Sequence, residues 1–186
     1  MNQSPLFRRL TLPAILVSLA LLLSVLERML PLDLLLPVPG LRLGLPNIVT
    51  LFALWALPLG TACGIVLVRC MLGSFFGGSL SALLFSLAGG LLALAVMAAL
   101  LPLEGRKLSM AGVSIAGAAA HNVGQLLAAR LVMRTWSVFA YLPLLLAGSL
   151  LTGFATGIVF SAMRPALSRA PALQPLLRQR KTGKEG

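Results

Sequence analysis

The stretch AAAHNVGQLLAAR, from Ala118 to Arg130, places polar side chains in the middle of a long apolar segment. It contains the single histidine of the chain, His121, together with Asn122 and Gln125. With 3.6 residues per helical turn, these three side chains fall within one arc of about 100° on a helix. Because an unsatisfied polar group in lipid costs several kcal/mol, such an arc is expected to face the interior of a helix bundle.

The composition around this stretch is that of an integral membrane protein. Hydrophobic residues make up 59% of the chain, charged residues 10%, and the mean hydropathy is +0.99. A soluble domain of 186 residues needs more polar surface than this. The net charge of +11 does not indicate nucleic acid, because the Lys and Arg residues lie mostly at segment ends, where they set topology and contact anionic lipid. We therefore expect a multi-pass protein of the cell membrane, with the bilayer as a partner and no nucleic acid.

Apolar runs long enough to cross a membrane, about 20 residues each, predict roughly six helices in one all-α bundle. Four prolines in residues 31–46 predict a loop at the membrane face. The second helix is short enough to be only a partial span. The predicted helices are Leu10–Leu30, Asn47–Leu57, Thr61–Phe76, Leu80–Leu101, Met110–Met133 and Val138–Met163.

The distribution of Lys and Arg predicts that both termini lie in the cytoplasm. Ten of these residues fall on the side of the termini and four on the other side, and the side with more Lys and Arg faces the cytoplasm. The chain then divides into a cytoplasmic N-terminus at 1–9, a membrane domain at 10–163 with an outward loop at 31–46, and a basic, disordered cytoplasmic tail at 164–186.

Small residues four apart predict close helix contacts, because lipid offers helices no hydrophobic reason to associate. One such ladder lies on the fifth predicted helix and a matching one on the sixth. Ala14 and Ser18 form a shorter pair on the first helix, which suits contact with a partner protein. The two ladders are Gly112, Ala116, Ala120, Gly124 and Ala128, and Ser149, Gly153, Gly157 and Ser161.

Arg69 is a second anomaly, because it lies midway along the third predicted helix. The chain has only four acidic residues, and Glu27 is the best candidate for its partner. Without a partner, Arg69 would be ready to hold an anion. We expect an outward pocket walled by the third, fifth and sixth helices and covered by the loop at 31–46, with Asn47 at its mouth.

The ligand expected in this pocket is small, partly apolar and anionic, and its binding residues are Asn47, Arg69, His121, Asn122 and Gln125. Two alternatives remain open. His121, Asn122 and Gln125 could serve interhelical hydrogen bonds alone. Arg69 could be satisfied by Glu27 or by backbone carbonyl groups.

Sequence motifs for catalysis or cofactor binding do not emerge. Cys63 and Cys70 lie about two helical turns apart, too far for a disulfide, and no metal-ligand cluster accompanies them. The phosphate-binding pattern GxxxxGK[ST] is absent, so ATP energy would come from partners. Asp33 is the single aspartate, whereas prenyl diphosphate synthesis needs aspartate-rich magnesium sites. We expect no enzyme activity, cofactor or metal.

Four runs together resemble the Gx transporter family, which is also catalogued as heptaprenyl diphosphate synthase component I. The resemblance covers about Ala14 to Met163. That family is similar in size and layout to the substrate-binding S components of energy-coupling factor (ECF) importers. The four runs are LGLPNIVTLFAL at 43–54, VRCMLGSFFGG at 68–78, SLAGGLLALAVM at 86–97 and GVSIAGAAAHNVGQL at 112–126.

The resemblance implies a six-helix membrane protein with cytoplasmic termini and an outward lid loop. Such proteins bind vitamins or similar micronutrients and work with a coupling membrane subunit and two ATPases. Small residues on their first helix contact the coupling subunit, a role that Ala14 and Ser18 would take here. The alternatives are an accessory subunit in prenyl diphosphate metabolism, which supplies quinone side chains, or an assembly protein of a membrane complex.

Overall fold

The structure is a computed structural model that describes residues 5–29, 44–76, 80–171 and 173–177, and its regular elements in these ranges are all helical. The predicted all-α class is therefore confirmed for this part of the chain. Two short 3₁₀ segments, Leu101–Leu103 and Ser137–Tyr141, precede the last two long helices. The six α-helices are α1 Pro5–Arg28, α2 Asn47–Ala56, α3 Leu59–Phe75, α4 Leu80–Leu100, α5 Met110–Met133 and α6 Leu142–Arg169.

Most predicted helix ends agree with the structure to within two residues. The bounds of α5 coincide with the prediction, and a Ser109 side chain that accepts from the Gly112 amide caps its first turn. The largest difference at the N-terminal end is in α1, which begins at Pro5. Residues 5–9, predicted as part of a separate N-terminal segment, are therefore helical.

The C-terminal boundary of the bundle requires a correction. We predicted a disordered tail from Arg164, but α6 continues to Arg169, and residues 174–177 form a further helical turn. Apolar contacts explain this order, because Leu173 is buried and Leu167 and Leu177 pack against the main core. Residues 178–186 and the loop residues 31–43 lie outside the described residues.

Within the described residues, three helical segments are long and apolar enough to cross a membrane. In the first and last of these segments, only 22% of an apolar 18-residue window is buried within the bundle, so most side chains of that window face outward, as lipid contact requires. The helices α2 and α3 are apolar but shorter. This pattern indicates a membrane protein. The three segments are Leu10–Arg28, Leu80–Leu103 and Ser137–Arg169.

The helix α5 lies between α4 and α6 and packs closely against both. A Cβ added at Gly124 would lie 2.6 Å from the carbonyl oxygen of Ala88 on α4. A Cβ added at Gly153 on α6 would lie 2.5 Å from the Cα of Ile115. Glycine is therefore required at both contacts, because any side chain would push the backbones apart.

The two predicted small-residue ladders do not face each other. Gly124 of the α5 ladder contacts α4, whereas Gly153 and Gly157 of the α6 ladder contact Ile115 and Ala111. A helix that lies between two neighbours packs with two different faces. A single ladder of small residues in the sequence does not show which face meets which neighbour. Ala120 and Ala128 of the α5 ladder are buried, while Gly112 and Ala116 are half-buried.

The short pair on α1 faces away from the bundle. Ala14 and Ser18 are both exposed, and the Ser18 hydroxyl donates to the Ala14 carbonyl at 3.0 Å. Their contact with a partner stays a prediction.

Candidate functional site

The chain enters α2 through a tight turn that packs against the middle of α5. Gly44 has a φ of +88°, and a Cβ added there would lie 2.7 Å from Asn47 Nδ2 and 3.1 Å from His121 Cδ2. Glycine therefore meets two demands here, the left-handed backbone and the close approach of the imidazole ring. His121 is near the centre of α5, so α2 begins deep within the bundle rather than at its end.

A carboxylate from α1 holds this turn in place. Glu27 is 1% exposed, and its Oε1 accepts hydrogen bonds from the amide groups of Gly44 and, at 3.3 Å, Leu45. These amides immediately precede the positive N-terminal end of α2, near which a negative side chain is stabilising. Glu27 thus anchors α2 from a different helix, since the cap residue Pro46 supplies no side-chain hydrogen bond.

The first turn of α2 presents two buried polar side chains to the bundle interior. Asn47 is 3% exposed and Thr50 is 1% exposed. Within the described residues, neither amide atom of Asn47 nor the hydroxyl of Thr50 has a hydrogen-bond partner. Because they lie three residues apart, the two side chains share one face of the helix.

Arg69 lies about as far along α3 from the α2–α3 link as Asn47 lies along α2. The helices α2 and α3 turn at Leu57 and Pro58, and at about 1.5 Å per residue Asn47 and Arg69 are each about 15–17 Å from that turn. The Arg69 side chain is 5% exposed and passes close to α4, where a Cβ at Gly90 would lie 3.0 Å from Nη2. Its Nε and Nη2 have no hydrogen-bond partner in the described part of the chain.

Gly89, the neighbour of Gly90, packs against α5. A Cβ at Gly89 would lie 2.8 Å from the His121 carbonyl oxygen and 2.9 Å from Gln125 Cγ. The two side chains interact directly, with 2.7 Å between His121 Nε2 and Gln125 Nε2. The glycine pair therefore lets the imidazole and the guanidinium approach adjacent positions at the middle of α4.

Asn122 has a different environment. Its Nδ2 donates to the Leu145 carbonyl at 3.0 Å and to Ser149 Oγ at 2.8 Å, both on α6. These bonds join α5 to α6, which is the interhelical role that the sequence left open for the polar group. Of the five predicted binding residues, contacts at Gly44 and Gly89 bring Asn47, His121 and Gln125 together, while Arg69 faces the adjacent Gly90 of α4.

The walls of this cluster also differ from the prediction. The sequence suggested the third, fifth and sixth helices, whereas the side chains come from α2, α3 and α5 and pack on the glycines of α4. We name the group formed by Asn47, Arg69, His121 and Gln125 the polar cluster.

The predicted pairing of Arg69 with Glu27 is not found among the described residues. The Glu27 carboxylate binds the start of α2 instead, and the ion pair in this part of the chain joins Arg164 to Glu104 at 2.7 Å. Arg28, the residue after Glu27, donates to the carbonyl of Gly73 near the end of α3. Arg69 is therefore a buried cation without a counter-ion in the described structure, an arrangement that is costly unless something else neutralises it.

The glycines that bring these groups together were not predicted as part of a site. Gly44, in GLPN, and the pair Gly89 and Gly90 each contact a residue of the polar cluster. The sequence signal was present, because a glycine two residues from a proline marks a turn and a glycine pair inside a helix suggests close packing. The role of Glu27 carried no such signal, since it depends on a contact between residues 17 positions apart.

Comparison with known proteins assigns the family. A profile of the family described as heptaprenyl diphosphate synthase component I matches residues 16–163. Searches of curated proteins and of solved structures found no match. The family match covers α2 to α5 completely, with most of α1 and α6, and includes every residue of the polar cluster. The chain belongs to the heptaprenyl diphosphate synthase component I family.

Proposed function

We propose that this protein captures a small anionic or amphipathic solute within the membrane and serves as the binding subunit of an ECF-type importer. The observation that carries the proposal is Arg69, whose Nε and Nη2 are buried and lack partners in the described structure. A bound anion would remove the cost of this uncompensated charge. The unpartnered amide of Asn47 would add hydrogen bonds to the same ligand.

The depth at which α2 begins supports a transport role. Gly44 contacts His121 near the midpoint of α5, so α2 is a short helix that starts inside the bundle. Transporters often place substrate sites where helices are interrupted near mid-membrane, with helix N-termini near anionic groups. In this protein Glu27 already binds the start of α2, which leaves Arg69 as the positive group for a ligand.

The proposal includes a topology and a set of partners. The six helices would cross the membrane with both termini in the cytoplasm, as the Lys and Arg distribution predicts. A coupling subunit and two ATPases would supply the energy for uptake. Ala14 and Ser18, exposed on α1, would contact the coupling subunit.

A second candidate function is an accessory membrane subunit in prenyl diphosphate metabolism. The family description favours it, because a component implies a complex with other subunits. In that role the protein would hold or position an amphipathic diphosphate for a separate catalytic subunit. We propose no catalytic step for this chain in either role.

Analysis of bound molecules tests the proposal directly. The protein would be purified in a mild neutral detergent, denatured, and the released small molecules identified by mass spectrometry. We expect an anionic molecule in stoichiometric amount with the wild type and with Arg106→Gln, a control that removes one exposed surface charge. It should be absent from Arg69→Gln.

The outcomes separate the candidates. Equal recovery from Arg69→Gln and Arg106→Gln would contradict the role given to Arg69. Recovery of a prenyl diphosphate, together with a prenyl synthase subunit, would favour the accessory role instead. Recovery of no anion from the wild type, either alone or purified with its membrane partners, would remove the capture function.

A further inference from the structure

The unpartnered nitrogens of Arg69 have a specific geometry. Nε and Nη2 lie on one edge of the guanidinium plane, and their N–H bonds point in nearly the same direction. This edge matches the two oxygens of a carboxylate, which accept two parallel hydrogen bonds from it. Both nitrogens are buried and without a partner within the described residues, so the entire edge is left for a ligand.

The charge of the surroundings limits how much negative charge the ligand carries. Arg69 is the one cation of the polar cluster when His121 is neutral, since Arg28 is bound to Gly73 and Glu27 to the start of α2. A diphosphate carries several negative charges and is normally held by several cations or by magnesium. The described residues contain no group of three or more His, Cys, Asp or Glu side chains that could hold a metal ion.

Neutral hydrogen-bonding groups complete the site on α2. The Asn47 amide offers a donor and an acceptor, and Thr50 offers a hydroxyl on the same helix face. An apolar side chain lies beside Arg69, since Val66 Cγ1 and Arg69 Nη2 are each 3.0 Å from a Cβ added at Gly90. This combination suits a ligand with one charged group, some neutral polar groups and an apolar body.

We infer that the ligand is a small monocarboxylate, held side-on by Nε and Nη2 of Arg69, with Asn47 and Thr50 bonding its neutral polar groups. The inference rests on the proposed function and names the ligand class of the same site. Both nitrogens of Arg69 are shielded from solvent, so binding requires the surrounding side chains to move.

The test compares simple anions on the full-length protein in neutral detergent. ¹³C-acetate, inorganic phosphate and magnesium diphosphate would be titrated and binding followed by ligand NMR. We expect acetate to bind the wild type and Arg106→Gln equally. Arg69→Lys keeps the charge but loses the two-pronged edge, so acetate affinity should fall about tenfold, the cost of roughly one charge-assisted hydrogen bond.

Asn47→Ala provides a variant that leaves Arg69 in place. It should weaken glycolate, which carries a hydroxyl beside its carboxylate, more than acetate, which has no neutral polar group for Asn47 to bond. Size-exclusion chromatography would show whether each variant is folded. If Arg69→Lys does not fold, the ranking of the three anions on the wild type decides the ligand class.

Each alternative outcome has a distinct meaning. Unchanged acetate affinity in folded Arg69→Lys would overturn the side-on contact. Preference for magnesium diphosphate over acetate would overturn the monocarboxylate class while preserving anion capture. Failure of all three anions to bind the wild type would overturn the proposed function and this inference together.

Discussion

At the scale of single residues, Gly44 combines two constraints that no other residue type meets. Its φ of +88° lies in the left-handed region, and its Cα faces both Asn47 and the His121 ring. A side chain at this position would strain the backbone and displace part of the polar cluster. The turn therefore couples the start of α2 to the geometry of the proposed site.

Gly44→Ala tests this coupling. We expect a loss of about 1–3 kcal/mol in the free energy of unfolding, from the backbone strain and the contact with Asn47 Nδ2. Thermal unfolding in detergent would measure it. The matched control is Gly64→Ala. Gly64 lies within a helix, α3, and a Cβ added there would have no atom within 4 Å apart from its own helix backbone. That change should be neutral or stabilising by up to about 1 kcal/mol. Equal effects of the two substitutions would contradict the strain and close contact assigned to Gly44.

Glu27 supplies a second residue-scale prediction. Glu27→Gln keeps an oxygen that accepts from Gly44 and Leu45 but removes the negative charge at the start of α2. The charge interaction with a helix N-terminus contributes about 0.3–2 kcal/mol, so unfolding should become easier by that amount. Glu27→Ala removes the acceptor as well and should cost more. A Glu27→Gln protein as stable as the wild type would show that the hydrogen bonds alone matter.

At the scale of helices, glycines set the distances between neighbours. Gly153 on α6 touches the backbone of α5 at Ile115, whereas a Cβ at Gly112 on α5 would lie no closer than 3.4 Å, to a Leu108 side-chain carbon. Both residues belong to small-residue ladders read from the sequence, but only Gly153 has a helix backbone against it. The structure therefore predicts different costs for the same substitution.

Gly153→Ala should destabilise the bundle by about 1–3 kcal/mol, because the added methyl group forces α5 and α6 apart. Gly112→Ala should be neutral or slightly stabilising, because the helix gains a better helix former. Thermal unfolding of the two variants in the same detergent would compare them. A larger loss in Gly112→Ala would contradict the close contact of Gly153 with the backbone of α5.

The helices themselves could be predicted because proline or polar residues mark their ends in the sequence. The Pro58 turn separates α2 from α3, and the polar loop at 104–109 separates α4 from α5. The polar cluster could be predicted only in part. Arg69 and His121 stand out in apolar runs, but the binding of Glu27 to α2 and the turn of Asn122 toward α6 depend on tertiary contacts. Hydropathy does not encode which of two neighbouring helices a polar side chain faces.

At the scale of the whole molecule, two contacts show which helix ends lie at the same end of the bundle. The Glu104–Arg164 pair joins the α4–α5 loop to the last turns of α6, so these segments share one end. Arg28 binds Gly73 near the C-terminal end of α3, which places the ends of α1 and α3 together. If the termini are cytoplasmic, the loop at 104–109 is cytoplasmic too, and the α5–α6 connection around Arg134 lies outside.

Cysteine labelling in cells tests this arrangement. In a background with Cys63→Ser and Cys70→Ser, Lys107→Cys and Arg134→Cys would each place one thiol at an exposed position. A membrane-impermeant maleimide should label Arg134→Cys in intact cells, and Lys107→Cys only after the membrane is permeabilised. The reverse pattern would invert the proposed orientation, and labelling of both variants in intact cells would mean that α5 does not cross the membrane. In that case Arg69 and His121 would not lie at mid-membrane depth, and the capture of a solute there would lose its structural basis.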